Sequence, residues 1–245
     1  MDLRILAWAI NEDTHKMERD CSALLSTAER HGVDVELFGL GVKFVEHKQR
    51  VDLLRQFLTS ESERETTVYV CMDGSDTLFN SDLSSLRERF LSFDTRILIS
   101  AERAFTYQFE VFRERFESIS SPYRYVNAGT FMGYGDSILK MLEEMLEINK
   151  RVPVNDQGLM GIWAHQNLFQ PKLVKLDTES EVFWVTTEDW DMILDSEQST
   201  TVRNPSTGTA PSIIHGIGGR AKGTRTEDAF RHLYCAILPG KDETV

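Results

Sequence analysis

The residues best suited to chemistry sit in one short stretch, Met72-Asp73-Gly74-Ser75-Asp76. Two carboxylates stand three residues apart, with Gly74 and Ser75 between them. They follow Val68-Tyr69-Val70-Cys71, an apolar run of strand length. A buried strand that ends this way delivers hard oxygen donors to the mouth of a sheet, where open α/β sheets take their ligands. Two such donors on a tight turn can share one divalent cation, Mg2+ or Mn2+ by ligand chemistry. The same residues also read as an ordinary Asp-Gly-Ser-Asp turn capping the next helix. Further along, Ile213-Ile214-His215-Gly216 closes a short strand with an imidazole and a Gly-rich turn. Taken alone, His215 reads as a buried histidine satisfied by backbone.

The elements that would position these groups can be read from the hydrophobic period. Leu3 to Ile10 is nearly continuous apolar sequence, which suits a strand buried on both faces. Lys16 to His31 has helical spacing and stops at Gly32. Val33 to Phe38 is a second strand, Gly39-Leu40-Gly41 a loop, and Gln49 to Leu58 a helix. The aspartate-bearing strand follows, then a helix over about 82–93 capped by Asn80 or Ser81. Arg96 to Ser100 is a fourth strand. This β-α-β-α-β-α-β run argues for an α/β fold with a mostly parallel, Rossmann-like central sheet flanked by helices. No G-x-G-x-x-G follows the first strand and no G-x-x-x-x-G-K-[ST] occurs, so dinucleotide and P-loop binding are unsupported.

The second half is less regular. Phe105 to Phe116 is aromatic-rich and reads as a short helix. Tyr123 to Tyr134 reads as a strand broken by a polar bend at Asn127-Ala128-Gly129, a bulge in the plain reading. Ser137 to Asn149 is helical. Asn155-Asp156-Gln157 caps a further helix over about 158–165. Val174 to Leu176 and Val182 to Val185 are strands, Thr200 to Ser212 a polar loop, and Thr226 to Leu238 a final helix.

The 245 residues are 41% hydrophobic and 27% charged, and no linker-like stretch divides them. One domain is expected, with a nucleotide-binding half over about 1–100 and a less regular half over about 101–245. The net charge of -12 weighs against non-specific nucleic-acid binding, which needs cations against phosphates. No apolar run is long enough to span a bilayer, so no membrane partner is expected. The N-terminus lacks a basic region followed by an apolar one. Cys21, Cys71 and Cys235 are odd in number and widely spaced, which argues against a disulfide framework. The expected location is a reducing cytoplasm.

The sequence resembles the glycosyltransferase domain of procollagen lysyl hydroxylases and related collagen-type glycosyltransferases, a GT-A-like fold. The matching stretches, in the family's order, are Met72 to Asp76, Ile99-Ser100-Ala101-Glu102, Tyr123 to Gly129, Asn155-Asp156-Gln157 and Ile214-His215-Gly216. The resemblance implies transfer of glucose or galactose from a UDP-sugar, with Mn2+ as cofactor and Mg2+ as the alternative. It makes Asp73, Asp76 and His215 the metal ligands. A cation so held neutralises charge on a diphosphate leaving group, and Mn2+ accepts the mixed oxygen and nitrogen set better than Mg2+.

Around the metal, the resemblance assigns donor-binding roles. Asn127 and Gly129 would line the sugar pocket, the amide bonding hydroxyls and the glycine letting backbone approach. Asn155-Asp156-Gln157 matches an acidic Asp-Asp-Gln stretch, here with asparagine first, so Asp156 alone keeps its carboxylate. Asp156 is the candidate catalytic residue, as base toward the acceptor hydroxyl or as orienter of the sugar. Ala9 and Asn11 would lie near the base and ribose. Lys48 would reach a phosphate as a point charge. Gly74 and Ser75 belong to the metal turn, and Gly216 and Gly218 would offer backbone N–H groups to the diphosphate. Glu102 matches an acidic family position. The acceptor carries over less far: hydroxylysine of a collagen-like protein, a hydroxymethylated DNA base, and a glycan are the choices. The rival readings are a nucleotide-sugar hydrolase or binding module of the same fold, and a metal-dependent phosphatase-like α/β enzyme with Asp73 as nucleophile, whose required lysine and further acidic loop are not found in the needed order.

Overall fold

The computed structural model describes residues 2–106, 109–187, 189–194, 202–217 and 223–239. In chain order the strands are β1 (Asp2–Asn11), β2 (Glu36–Leu40), β3 (Thr67–Asp73), β4 (Thr77–Phe79), β5 (Ile97–Glu102), β6 (Tyr125–Tyr134), β7 (Val174–Asp177), β8 (Phe183–Val185) and β9 (Ile213–His215). The helices are α1 (Thr14–Asp20), α2 (Ser22–Arg30), α3 (Gln49–Ser60), α4 (Leu83–Ser92), α5 (Arg113–Glu117), α6 (Gly135–Asn149), α7 (Asp156–Asn167), α8 (Trp190–Leu194) and α9 (Arg225–Ile237).

A six-stranded sheet, ordered β2-β1-β3-β6-β5-β7, forms the centre. β1 runs parallel to β2 and β3, and β5 parallel to β7, while β6 is antiparallel to both its neighbours. Five strands therefore share one direction, as the βαβ pattern predicts. The exception is the strand expected to be broken. β6 is continuous, but opposite it β5 advances from Ile99 to Ala101 while β6 moves from Phe131 to Val126. The surplus residues of β6 form a bulge that lifts Asn127 to Gly129 out of the ladder.

The sheet is apolar on both faces. Leu6, Trp8, Ile10, Tyr69 and Cys71 pack toward one core with α3, α6 and α7 residues such as Leu54, Met141 and Trp163. Ile5, Ala7, Val68, Val70 and Met72 pack toward the other with Leu24, Leu86 and Phe90. The larger aliphatic and aromatic side chains among these contribute roughly 1.5–3 kcal/mol each on burial.

Several boundaries differ from expectation for local reasons. The helix expected over Lys16 to His31 is split at Cys21, whose backbone leaves helical values at φ -90° and ψ 4°. The cap of α4 is Asp82, which accepts from the Ser85 N–H, rather than Asn80 or Ser81. Asn80 is instead buried, and its amide donates to the carbonyls of Val202 and Pro211 at 2.9 Å each. That ties down the loop before β9. A second, three-stranded sheet, β4-β9-β8, then carries the chain's late residues back beside the end of β3. Among the described residues no helix is long and apolar enough to cross a membrane.

Candidate active site

β3 is buried throughout until Asp73, where it leaves the sheet. Gly74 allows the turn to lie flat: a Cβ there would come within 2.6 Å of the Trp8 carbonyl oxygen and 2.7 Å of Cys21 Sγ. The Gly74 N–H donates to that carbonyl at 3.2 Å. The Thr77 hydroxyl donates back to the Asp73 carbonyl. β4 starts at once, and its antiparallel register with β9 sets Thr77 opposite His215. The Gly216 N–H donates to the Asp76 carbonyl at 2.7 Å. Turn and imidazole are thus locked together through backbone bonds.

The ligand atoms of Asp73, Asp76 and His215 all lie within 4.8 Å of one another. His215 Nε2 is 3.5 Å from both Asp73 Oδ2 and Asp76 Oδ1. Ligands about 2.1 Å from an ion lie no more than about 4.2 Å apart, so the trio needs to close by only a fraction of an ångström. Asp73 Oδ1, Asp76 Oδ1 and His215 Nδ1 are buried with no aligned hydrogen-bond partner. An orphaned acceptor costs about 1–3 kcal/mol, and a cation between the carboxylates and the imidazole Nε2 satisfies Asp76 Oδ1. The donor set therefore fits a divalent ion, Mn2+ better than Mg2+ because of the nitrogen.

Electrostatics agree. Burial raises the Asp73 pKa, against the pull of Arg50 and His215. For His215, burial disfavours the imidazolium, but the carboxylates of Asp76 and Asp73 outweigh it and the pKa rises. Gly129 is the complement of this packing. A Cβ there would lie 2.1 Å from His215 Cε1 and 2.9 Å from Asp73 Oδ2. Its absent side chain makes room for the imidazole, and the residue also lines the larger of the two cavities beside it.

Two cavities meet at the trio. The larger, about 360 Å3, is bounded by Glu102, Asn127, Asp156, Gln157 and Thr187 beyond the metal residues. The smaller, about 250 Å3, is bounded by Trp8, Ile10, Phe44, Gly74 and Ser75. His47, Arg50, Asp73 and Asp76 line both. Glu102 is the chemical surprise of the larger one. Burial pushes its pKa up to about 7, against hydrogen bonds from Thr187, Asn127 and Gln157 that favour the carboxylate. The Gln157 amide donates to Glu102 at 2.7 Å and to the Thr106 carbonyl at 3.1 Å.

The remaining expectations divide. Asn127 faces the larger cavity, and its Oδ1 accepts from the Gly129 N–H at 2.9 Å. Asn155 lines it too, but its Oδ1 caps α7 by accepting from the Gly158 N–H at 2.8 Å. Asp156 is buried against the cavity, with one oxygen accepting from the Gln157 N–H at 2.9 Å. Ala9 and Asn11 belong to neither cavity lining: β1 turns Trp8 and Ile10 toward the site and Ala9 to the opposite face. The Asn11 side chain instead accepts from the Asp13 N–H at 2.9 Å. Lys48 pairs with Glu46 at 3.1 Å and also lies outside both linings. The cation that faces the site is Arg50, two residues further on in the first turn of α3 and three beyond His47, which lines the same two cavities. That i, i+3 spacing was the available signal, and the sequence reading passed over it. Gly216 spends its N–H on Asp76, so it clamps the turn rather than a phosphate. Gly218 lies outside the described residues.

Known proteins bear on this geometry in three ways. The profile of the PLOD GT domain family matches residues 7–224. The multifunctional procollagen lysine hydroxylase and glycosyltransferase of Caenorhabditis elegans is 24% identical over 87% of this chain and 30% of its own length. Its human counterpart, LH3, is 23% identical over 79% of this chain and 27% of its own length. The chain thus spans about 30% of the length of such relatives. A solved structure of a glycosyltransferase involved in the glycosylation of the major capsid of PBCV-1 superposes with a TM-score of 0.52 at 12% identity, over 95% of this chain and 98% of that one. With a family profile covering nearly all of its length and a glycosyltransferase fold, the chain belongs to the PLOD GT domain family.

Proposed function

We propose that the chain is a cation-dependent hexosyltransferase that moves glucose or galactose from a UDP-sugar to a hydroxyl acceptor. The observation that carries this reading is the Asp73, Asp76 and His215 trio at the junction of two cavities. A nucleotide-sugar is two ligands joined by a diphosphate, and the junction is where the diphosphate would lie. Trp8, Ile10 and Phe44 give the smaller cavity an apolar, aromatic wall suited to a base. Glu102, Asn127 and Gln157 give the larger one donors and acceptors suited to sugar hydroxyls.

Asp73, Asp76 and His215 would hold Mn2+, which when bound neutralises charge on the departing UDP. The protein's own residues supply the rest. Arg50 offers a guanidinium to phosphate oxygens. Glu102, held by Gln157 and Thr187, fixes the sugar's orientation through its hydroxyls. Asp156 faces the same cavity and is placed to accept the proton of the acceptor hydroxyl or to orient the sugar. The names of the relatives join procollagen lysine hydroxylation to glycosyl transfer, and on that basis we propose hydroxylysine as the acceptor class.

The test is a panel of nucleotide sugars with Mn2+, followed by nucleotide release with and without a hydroxylysine peptide. UDP release from UDP-glucose or UDP-galactose, stimulated by the peptide, is expected. Asp73→Ala and Asp76→Ala should abolish it. Full metal-dependent turnover in both variants would sink the reading, and release indifferent to every acceptor would favour a hydrolase.

A further inference from the structure

Arg50 reaches from the first turn of α3 into the gap between the two cavities. Its Nη1 lies 2.6 Å from Asp73 Oδ1 and 3.7 Å from Asp156 Oδ2. Its Cζ stands 5.9 Å from the ring centroid of Trp8. The contact with Asp73 is close but poorly aligned, because neither Asp73 Oδ1 nor Arg50 Nε has a hydrogen-bond partner. Arg50 therefore neutralises Asp73 without fixing its direction. It also occupies a carboxylate that the cation needs.

We propose that Arg50 competes with the cation for Asp73 and, once displaced, binds the donor's diphosphate, so that cation and nucleotide bind interdependently. This rests on the reading of the site as one for a cation and a nucleotide-sugar. The charges make the case. Among the described residues, Asp73 and Asp156 share the Arg50 guanidinium, and the His215 imidazole stands beside Asp73 and Asp76, so three carboxylates lean on one permanent cation. A divalent ion on Asp73 and Asp76 makes up the shortfall and frees the guanidinium. A diphosphate then brings new negative charge, and the planar fork of an arginine matches its oxygens.

Removing the guanidinium should have opposite effects on the two ligands. Mn2+ alone meets an unopposed Asp73 and binds tighter. UDP loses a cation and binds weaker. A residue that only supported the fold would weaken both when removed.

Calorimetric titration of the full chain with Mn2+ alone, then with UDP at saturating Mn2+, reads both quantities. Arg50→Gln is expected to bind Mn2+ about tenfold tighter and UDP about tenfold weaker, where tenfold is ~1.4 kcal/mol. Arg50→Lys keeps the charge and loses the fork. It should hold Mn2+ within about threefold of the unaltered chain and still lose UDP affinity. The unaltered chain gives a mutant-free measure, because UDP and Mn2+ must raise each other's affinity by one common factor. That factor should exceed one, and it should shrink in Arg50→Gln. Mn2+ binding in Arg50→Gln that is no tighter than in the unaltered chain overturns the Arg50 role alone. An unaltered chain that binds neither Mn2+ nor UDP overturns the functional reading and this inference with it.

Discussion

Gly129 is the position where one added methyl group tests the whole site. A Cβ built there lies 2.1 Å from His215 Cε1, 2.8 Å from Nδ1 and 2.9 Å from Asp73 Oδ2, whereas ordinary contact begins near 3.4 Å. In Gly129→Ala the imidazole must retreat by more than an ångström or the bulge of β6 must shift. His215 cannot retreat freely, since β9 is hydrogen-bonded between β4 and β8. Overpacking of this kind costs about 1–3 kcal/mol, which for a domain of this size is a fall in melting temperature of roughly 2–12 °C. Metal sites tolerate only about ±0.2 Å in ligand distance, and a misplacement of about 1 Å is worth on the order of 100-fold in rate. The variant is therefore expected to lose Mn2+ affinity and transfer activity far beyond its loss of stability. Gly133→Ala is the control on the same strand. Its Cβ would lie 2.6 Å from the Arg96 carbonyl oxygen, away from the site, so it should lose stability and keep Mn2+ affinity. The assay is Mn2+ titration followed by paramagnetic resonance of the free ion, beside thermal melts. Unchanged Mn2+ affinity in Gly129→Ala would refute the geometry proposed for the trio.

Two further outcomes are expected. Glu102 has a folded pKa of about 7 against an ordinary 4.5, so between those pH values the folded chain keeps a proton that the unfolded chain has released. Stability should therefore fall as pH rises through that window, by on the order of 3 kcal/mol from this group. Glu102→Gln removes the titration, so parallel melting-temperature profiles from pH 4.5 to 8 would contradict the assignment. Asp177 accepts from the Glu181, Val182 and Phe183 N–H groups at 2.9, 2.7 and 2.7 Å. Asp177→Ala should lower unfolding free energy by about 3 kcal/mol or more, because buried unpaired donors cost about 1–3 kcal/mol each. Denaturant unfolding with unchanged midpoint would show that water replaces the carboxylate.

Much of the fold was legible because it is written in local periods. The continuous apolar run of β1 and the β-branched run of β3 announce strands buried on both faces, and the structure buries them on both faces. The helical spacing of α3, α6 and α9 identifies their apolar faces. Where the reading slipped, a long-range contact overrode a local cue. Asn80 has the chemistry of a helix cap, but two carbonyls of a distant loop claim its amide. Asn127 and Gly129 carry turn-like residue types, but renewed pairing with β5 at Val126 and Tyr125 keeps the strand running past them. Lys48 and Arg50 are both cations on one loop and helix start, and only the helical phase of α3 decides which of them faces the cavities.

Sequence alone determined which groups have the chemistry: two carboxylates on a turn after a buried strand, an imidazole after a short apolar run, and an Asn-Asp-Gln stretch opening a helix. Those are properties of residue type and spacing, and they survive without coordinates. Only the tertiary structure decided that they meet. The register of β4 against β9 sets Thr77 opposite His215, and that single pairing puts the imidazole 3.5 Å from both carboxylates. It also decided that Gly129 leaves space for the imidazole, that Asn155 caps α7, and that Arg50 reaches Asp73. Periodicity is a local quantity, whereas contact between groups so far apart in the chain is set by strand pairing and by what the packed core leaves room for.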